Sequence, residues 1–368
     1  MEKLSLCDAQ DLLLGCAALG TGGGGALAEG LSLLERAAQR GEFVLADLDE
    51  VPDDDLIASP YTCGAVSRRT PQAGGEPAAP AQAEEYPALR AFRALQDHLG
   101  KPLQGVISTE LGGGNTAKAL YVAAMEGLYV IDGDPAGRAV PELQHSMFFV
   151  HGLPITPMAV ATRFGDCMIV TAVGDELRAE VLVRAVAVAS NDEAWVVDHP
   201  TRAVDLRGVV IPRALSHALA IGRELRAARL EQRNAASAVA QAGGGFVCFC
   251  GNVQSVEWQN SGGFTVGEVL IQGEGPDAGS SYRISFKNEN LIAWRDEEVD
   301  ITVPDLICVI DDDTGEPLAN PDYRPRSRVS VVGLPAPPQW RTTRGIEVFG
   351  PRHFGFDVDY RPLVPPRA

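Results

Sequence analysis

GVISTELGGGNTAKALYVAAMEGLYVIDGD, residues 105–134, holds the clearest supersecondary signal in the chain. Gly105 to Glu110 reads as a strand, Gly112-Gly113-Gly114-Asn115 as a loop, Thr116 to Glu126 as a helix, and Leu128 to Asp132 as a second strand. That order is a βαβ unit, which makes the two strands parallel neighbours. Ligands of open parallel sheets bind beyond the carboxyl ends of the strands. Glu110 and the glycine loop leave one such end, and Asp132 and Asp134 leave the other, so two acidic groups are expected to face one crevice.

Carboxylates crowded into a partly desolvated cleft push one another's pKa values apart, which suits acid and base roles near neutral pH. Glu110, Asp132 and Asp134 are therefore the candidate catalytic residues. The same three oxygen donors equally suit a hard divalent cation such as Mg²⁺. In DGDPAGRAVPEL, Arg138 brings a cation beside these acids, and Glu142 follows Pro141 at the start of the next helix. With Gly113, Gly114 and Asn115 they form the candidate substrate contacts; the competing reading is an Asp–Arg pair that only fixes the loop.

Working outward, Asp8 is the expected N-cap of an apolar helix that stops at the block Gly20-Thr21-Gly22-Gly23-Gly24-Gly25. A second helix, ALAEGLSLLERAAQ, and a strand, EFVLA at 42–46, follow. The glycine block formally satisfies G-x-G-x-x-G but has a helix before it instead of a strand, and it lacks the lysine of a P-loop. Gly22, Gly23 and Gly24 either bring backbone amides close to a ligand or permit a tight helix-to-helix turn. Residues 70–87, rich in Pro, Ala and Gly, read as a surface loop. AVATRF and CMIVTA flank Gly165 as a hairpin, and helical periodicity runs on to about residue 240.

After Gly243–Gly245 the pattern changes to short alternating strands. The expected architecture is thus an α/β domain with a mainly parallel sheet over 1–240 and a β-rich, antiparallel, sandwich-like domain over 241–368. The polar run Asn288-Glu289-Asn290, in FKNENL, either bonds to a loop backbone or lines a crevice between the domains, with Asn288 and Asn290 as the candidate substrate contacts.

A formal charge of −18 opposes nucleic acid and anionic membranes as partners. No apolar run reaches spanning length, and the N-terminus lacks a signal-peptide plan, so a cytoplasmic location is expected. The seven cysteines are scattered and read as reduced thiols, and the Cys248/Cys250 pair reads as strand packing. Six histidines show neither HxH nor HExxH, so a histidine-based zinc site has no support; His145 lies nearest the acidic loop.

LGTGGGG at 19–25, ELGGGN at 110–115, DGDPAGRAVPELQ at 132–144, GGFTVGEV at 262–269, FKNENLIA at 286–293, VPDLICVIDDDTGEPL at 303–318 and GPRHFGFDVDY at 350–360 resemble the S-methyl thiohydantoin desulfurase-like family, grouped beside hydantoinases and oxoprolinases. The resemblance spans nearly the whole chain and implies an α/β part joined to a β-rich part. It also implies a five-membered cyclic imide or thiohydantoin as substrate class. Val266 stands where an arginine is expected, and Tyr61-Thr62-Cys63-Gly64 where a Met-Gly pair is usual.

The expected function is hydrolysis of a small cyclic amide-like ring: a hydantoin, a thiohydantoin or an S-methyl thiohydantoin. The expected partner is a small molecule, in a homo-oligomer. The alternatives are a non-catalytic partner or regulatory subunit of a hydantoinase-type enzyme and a nucleotide-dependent enzyme using the glycine block.

Overall fold

The structure, a computed structural model, describes residues 1–66 and 85–365. Most of the Pro/Ala-rich segment 70–87 therefore falls outside the described residues. The first helix, Leu6–Leu19, begins on a capping box in which Ser5, and not Asp8, is the N-cap. The Ser5 hydroxyl accepts from the Asp8 amide, and the Asp8 carboxylate accepts from the Ser5 amide, so both residues cap the same turn.

Among the described residues the N-terminal sheet has eight strands in the order Glu2–Leu4, Phe43–Ala46, Tyr129–Ile131, Gly105–Val106, Leu56–Gly64, Glu193–Arg202, Met158–Ala161, Cys167–Val170. The βαβ unit is present: Gly105–Val106 and Tyr129–Ile131 are adjacent and parallel, with the helix Asn115–Glu126 between them. Yet only three of the seven pairings are parallel, those joining Phe43–Ala46, Tyr129–Ile131, Gly105–Val106 and Leu56–Gly64. The other four are antiparallel, so the sheet is mixed, with a parallel centre and antiparallel flanks. The hairpin 158–170 joins its two strands by a tight turn, which makes their pairing antiparallel.

From Phe246 onward a single seven-stranded antiparallel sheet forms. It is one curled sheet and not two stacked layers, because bulges at Val253/Ser255, Ser285/Phe286 and Ala293/Trp294 add twist. The curl brings Glu289–Arg295 beside Leu306–Asp311, where the Asn290 amide donates to Ile307 O at 2.8 Å. A further bulge at Val247/Phe249 interrupts alternation, so Cys248 and Phe249 both pack inward.

One hydrophobic core runs from Leu12 and Leu13 of the first helix through Leu215 and Leu225 to Val332 and Leu334 of the C-terminal sheet. The two parts therefore share their apolar interior. No helix among the described residues is long and apolar enough to cross a membrane. All seven cysteines are free thiols.

Candidate functional site

The two glycine blocks meet. Gly24 O accepts from both Gly114 N and Asn115 N at 3.0 Å, and a Cβ on Gly24 would stand 2.5 Å from Gly112 Cα. Gly24 itself has φ +75, so only glycine satisfies both the conformation and the contact. The stacked loops form one wall of a cavity of about 370 Å³. The end of the strand Leu56–Gly64 and the segment 140–143 add two more walls, and Asn288 and Glu289 reach in from the C-terminal sheet.

Glu110 lines this cavity from the loop between the strand Gly105–Val106, shorter than the expected 105–110, and the helix Asn115–Glu126, held by two donors: Asn115 Nδ2 at 2.5 Å and Val140 N at 2.7 Å. Burial pushes its carboxyl up to about 7 against those hydrogen bonds and the nearby Lys118 and Arg138 charges. Glu289 enters from the other part of the chain, with Oε2 buried and without a hydrogen-bond partner among the described residues. Burial first, and then the charge of Glu110, raise its carboxyl well above the ordinary range. A tight turn aims it there: Lys287 pairs with Glu289 across Asn288, whose φ is 58.

Of the other expected acids, Glu142 lines the cavity and is paired with Lys287. Asp132 does not line it. Its Oδ1 accepts from Ser216 N at 2.9 Å and its Oδ2 from the Ser216 hydroxyl, so it caps the helix Ala214–Leu230. That helix starts at Arg213, a left-handed residue with no capping side chain, and Asp132 supplies what it lacks. Asp134 is fully buried behind the wall, its Oδ1 accepting from the Ala136 and Gly137 amides. Burial pushes its carboxyl up to about 8, with Glu110 adding to the rise. The three acids do not converge, and among the described residues no cluster has the makings of a metal site.

Asn115 lines the cavity, but Nδ2 is spent on Thr62 O and Glu110, and Oδ1 accepts from Thr62 N at 3.0 Å. Gly113 and Gly114 pack on residues 25–27 and stand outside the lining, as do Gly22 and Gly23; Gly24 lines it. Arg138 is fully buried away from the cavity. It donates to the carbonyls of Ala139, Asn290, Pro304 and Asp305 and to Thr21 Oγ1 at 2.7–3.2 Å, which makes it a stitch between the two parts. Asn290 belongs to that stitch, its amide donating to Thr21 O. Asn288 lines the cavity and donates to Gly64 O at 3.2 Å. His145 lies buried outside the lining, 3.0 Å from His353 between their Nε2 atoms.

Tyr61, Cys63, Lys118, Ser146, Arg184 and Glu289 are lining residues absent from the expected set. Glu289 stands in the polar run Asn288-Glu289-Asn290 that the sequence offers as a crevice lining, though only the two asparagines are among the expected contacts. Tyr61 and Ser146 are the two ends of a buried chain. Tyr61 donates to Asp198 at 2.7 Å, Asp198 meets His199 Nδ1 at 2.8 Å, His199 Nε2 faces Glu176 at 3.4 Å, and Ser146 donates to Glu176 at 3.5 Å. Burial alone would lower this imidazole, but Asp198 and Glu176 outweigh it and hold His199 up at about 9. A raised histidine contributes stability that is complete below 6.5 and is lost as pH climbs through about 9. Melting curves between pH 7 and 10 are expected to show that loss, and Asp198→Asn to flatten it.

Two family descriptions match the chain: "S-Me-THD-like, N-terminal domain" over residues 7–172 and "S-Me-THD-like, C-terminal domain" over residues 174–363. The fold is similar to a crystal structure of a protein from Chromobacterium violaceum, with a TM-score of 0.78 and 22% identity, covering 99% of this chain and all of that one. No curated protein matches.

Proposed function

Since the chain belongs to the S-Me-THD-like family over both of its domains, we propose that it is a hydrolase of a small cyclic amide-like ring: a hydantoin, a thiohydantoin or an S-methyl thiohydantoin. One observation carries the chemistry. Glu110 and Glu289, from different parts of the chain, face one cavity, and each disfavours ionisation of the other. Such a pair keeps one proton near neutral pH and so offers an acid and a base together. Glu289 holds the proton more tightly and acts as the acid. Glu110, near 7, takes a proton from the attacking water, close to the optimum for a general base.

The buried carboxyls of Glu110 and Glu289 stand where a phosphate group would have to enter, which favours a neutral ring over a nucleotide. On an S-methylated ring, water adds to the carbon bearing sulfur, its proton passes to Glu110, and the C–S bond breaks as Glu289 protonates the leaving thiolate. On an unmethylated ring the same two groups serve C–N cleavage.

Incubation with hydantoin, 2-thiohydantoin and S-methyl-2-thiohydantoin, followed by ring absorbance and free thiol, tests the reading. Turnover of at least one is expected, with Glu110→Gln losing it and Asp132→Asn, a capping residue, keeping it. Failure of the wild-type protein to consume any of the three rules the proposal out.

A further inference from the structure

We propose, resting on the hydrolase reading above, that Lys118 is a further catalytic residue: its ammonium binds the carbonyl oxygen of the substrate ring and carries the negative charge that develops there. Lys118 lies on the helix Asn115–Glu126, three residues after Asn115 and so on the same face. It lines the cavity and is only 2% exposed. Among the described residues Nζ has one hydrogen bond, to Gly114 O at a long 3.4 Å, and no carboxylate within ion-pairing distance.

An ammonium carries three donors, and a buried cation so poorly satisfied is costly to keep. A ring oxygen entering the cavity supplies the missing acceptor. Several glycine-loop amides are engaged elsewhere: Gly23 N on Gly20 O at 2.8 Å, Gly112 N on Thr116 Oγ1 at 3.3 Å, and Gly114 N and Asn115 N on Gly24 O. The Asn115 side-chain donors are taken too, by Thr62 O and Glu110. Lys118 is a charged donor placed to meet an oxyanion, and its attraction grows as the neutral carbonyl becomes charged, which is the condition for acceleration.

In the step, water oxygen bonds to the ring carbonyl carbon, and a water proton passes to Glu110. The C=O π electrons move onto the ring oxygen beside Lys118. Collapse restores the carbonyl, breaks the ring C–N bond, and the departing nitrogen takes the Glu289 proton.

Steady-state ring opening and thermal melting of Lys118→Met, with propylammonium rescue of Lys118→Ala, test the assignment. The expected result is a kcat lower by about 10²–10³-fold with KM little changed, as for loss of an oxyanion donor. The Met variant should melt no lower than wild type, since an apolar chain replaces an unsatisfied cation, and added propylammonium should restore part of the Ala variant's turnover. Full kcat in Lys118→Met, alongside loss in Glu110→Gln, overturns this assignment and leaves the hydrolase reading standing. Lower melting with no rescue also overturns it, by showing a structural role. A wild-type protein inert on all three rings overturns both.

Discussion

Glu289→Gln is expected to lower turnover of the ring substrate by about 10²–10⁴-fold, the usual share of a general acid or base, while raising the melting temperature of the free protein above pH 7. The two effects have one cause. In the folded chain Glu289 and Glu110 are buried together, and their charged forms are disfavoured by lost water and by each other. The Glu289 carboxyl is held well above its ordinary 4.5. From 4.5 upward the folded protein therefore keeps a proton that the unfolded chain releases, so stability falls as pH rises, and glutamine removes that loss. Glutamine fills the same space, cannot ionise, and leaves Glu110 alone with the Lys118 and Arg138 charges. Glu289 Oε2 has no partner to lose among the described residues. Melting curves of both proteins from pH 5 to 9 should therefore diverge upward with pH. A variant that melts lower than wild type throughout would mean that Glu289 is a structural carboxyl.

Glu110 was readable from sequence because it depends on local order alone: strand, glycine loop and helix within some twenty residues fix where that strand ends. Asp132 leaves the neighbouring parallel strand and looks equivalent. What diverts it is Ser216, more than eighty residues on, whose helix begins without a capping side chain of its own. The glycine blocks were legible as close-approach sites, but what they approach is each other, a contact between residues 24 and 112 that no periodicity encodes. The parallel centre of the sheet follows from βαβ logic. Its antiparallel flank depends on Glu193–Arg202 pairing with Leu56–Gly64 across the chain. Glu289 is the hardest case. Its position follows from a one-residue turn at Asn288 and from the docking of two parts through a common core, both of which lie beyond the reach of local pattern.

Arg138→Met is expected to destabilise the protein by about 5 kcal/mol or more, against a total of about 5–15 kcal/mol for typical proteins. The guanidinium donates to four carbonyls and one hydroxyl, from Thr21, Ala139, Asn290, Pro304 and Asp305, all gathered around a fully buried side chain. Burial is unfavourable to the charge and lowers its proton affinity to about 10, so arginine remains the cation here while holding those acceptors. Replacing a buried charge by an apolar group is often harmless when both partners are replaced together. Here the acceptors remain. Four of them are backbone carbonyls that no single substitution removes, and hydrogen bonds to charged groups are worth about 1.5–3 kcal/mol each. Methionine keeps the packing on Phe349, whose ring centroid lies 5.0 Å from the guanidinium carbon, but none of the donors. Arg138→Lys should fall nearly as far, because three donors on one nitrogen cannot span the fork from Thr21 to Pro304 and Asp305. At about 2.1 cal/mol/K of unfolding entropy per residue, a chain of 368 residues shifts by roughly 1.3 °C per kcal/mol, so the Met variant should melt about 6 °C or more below wild type. A melting point within about 1 °C of wild type would show that the two parts are held by their shared apolar core alone.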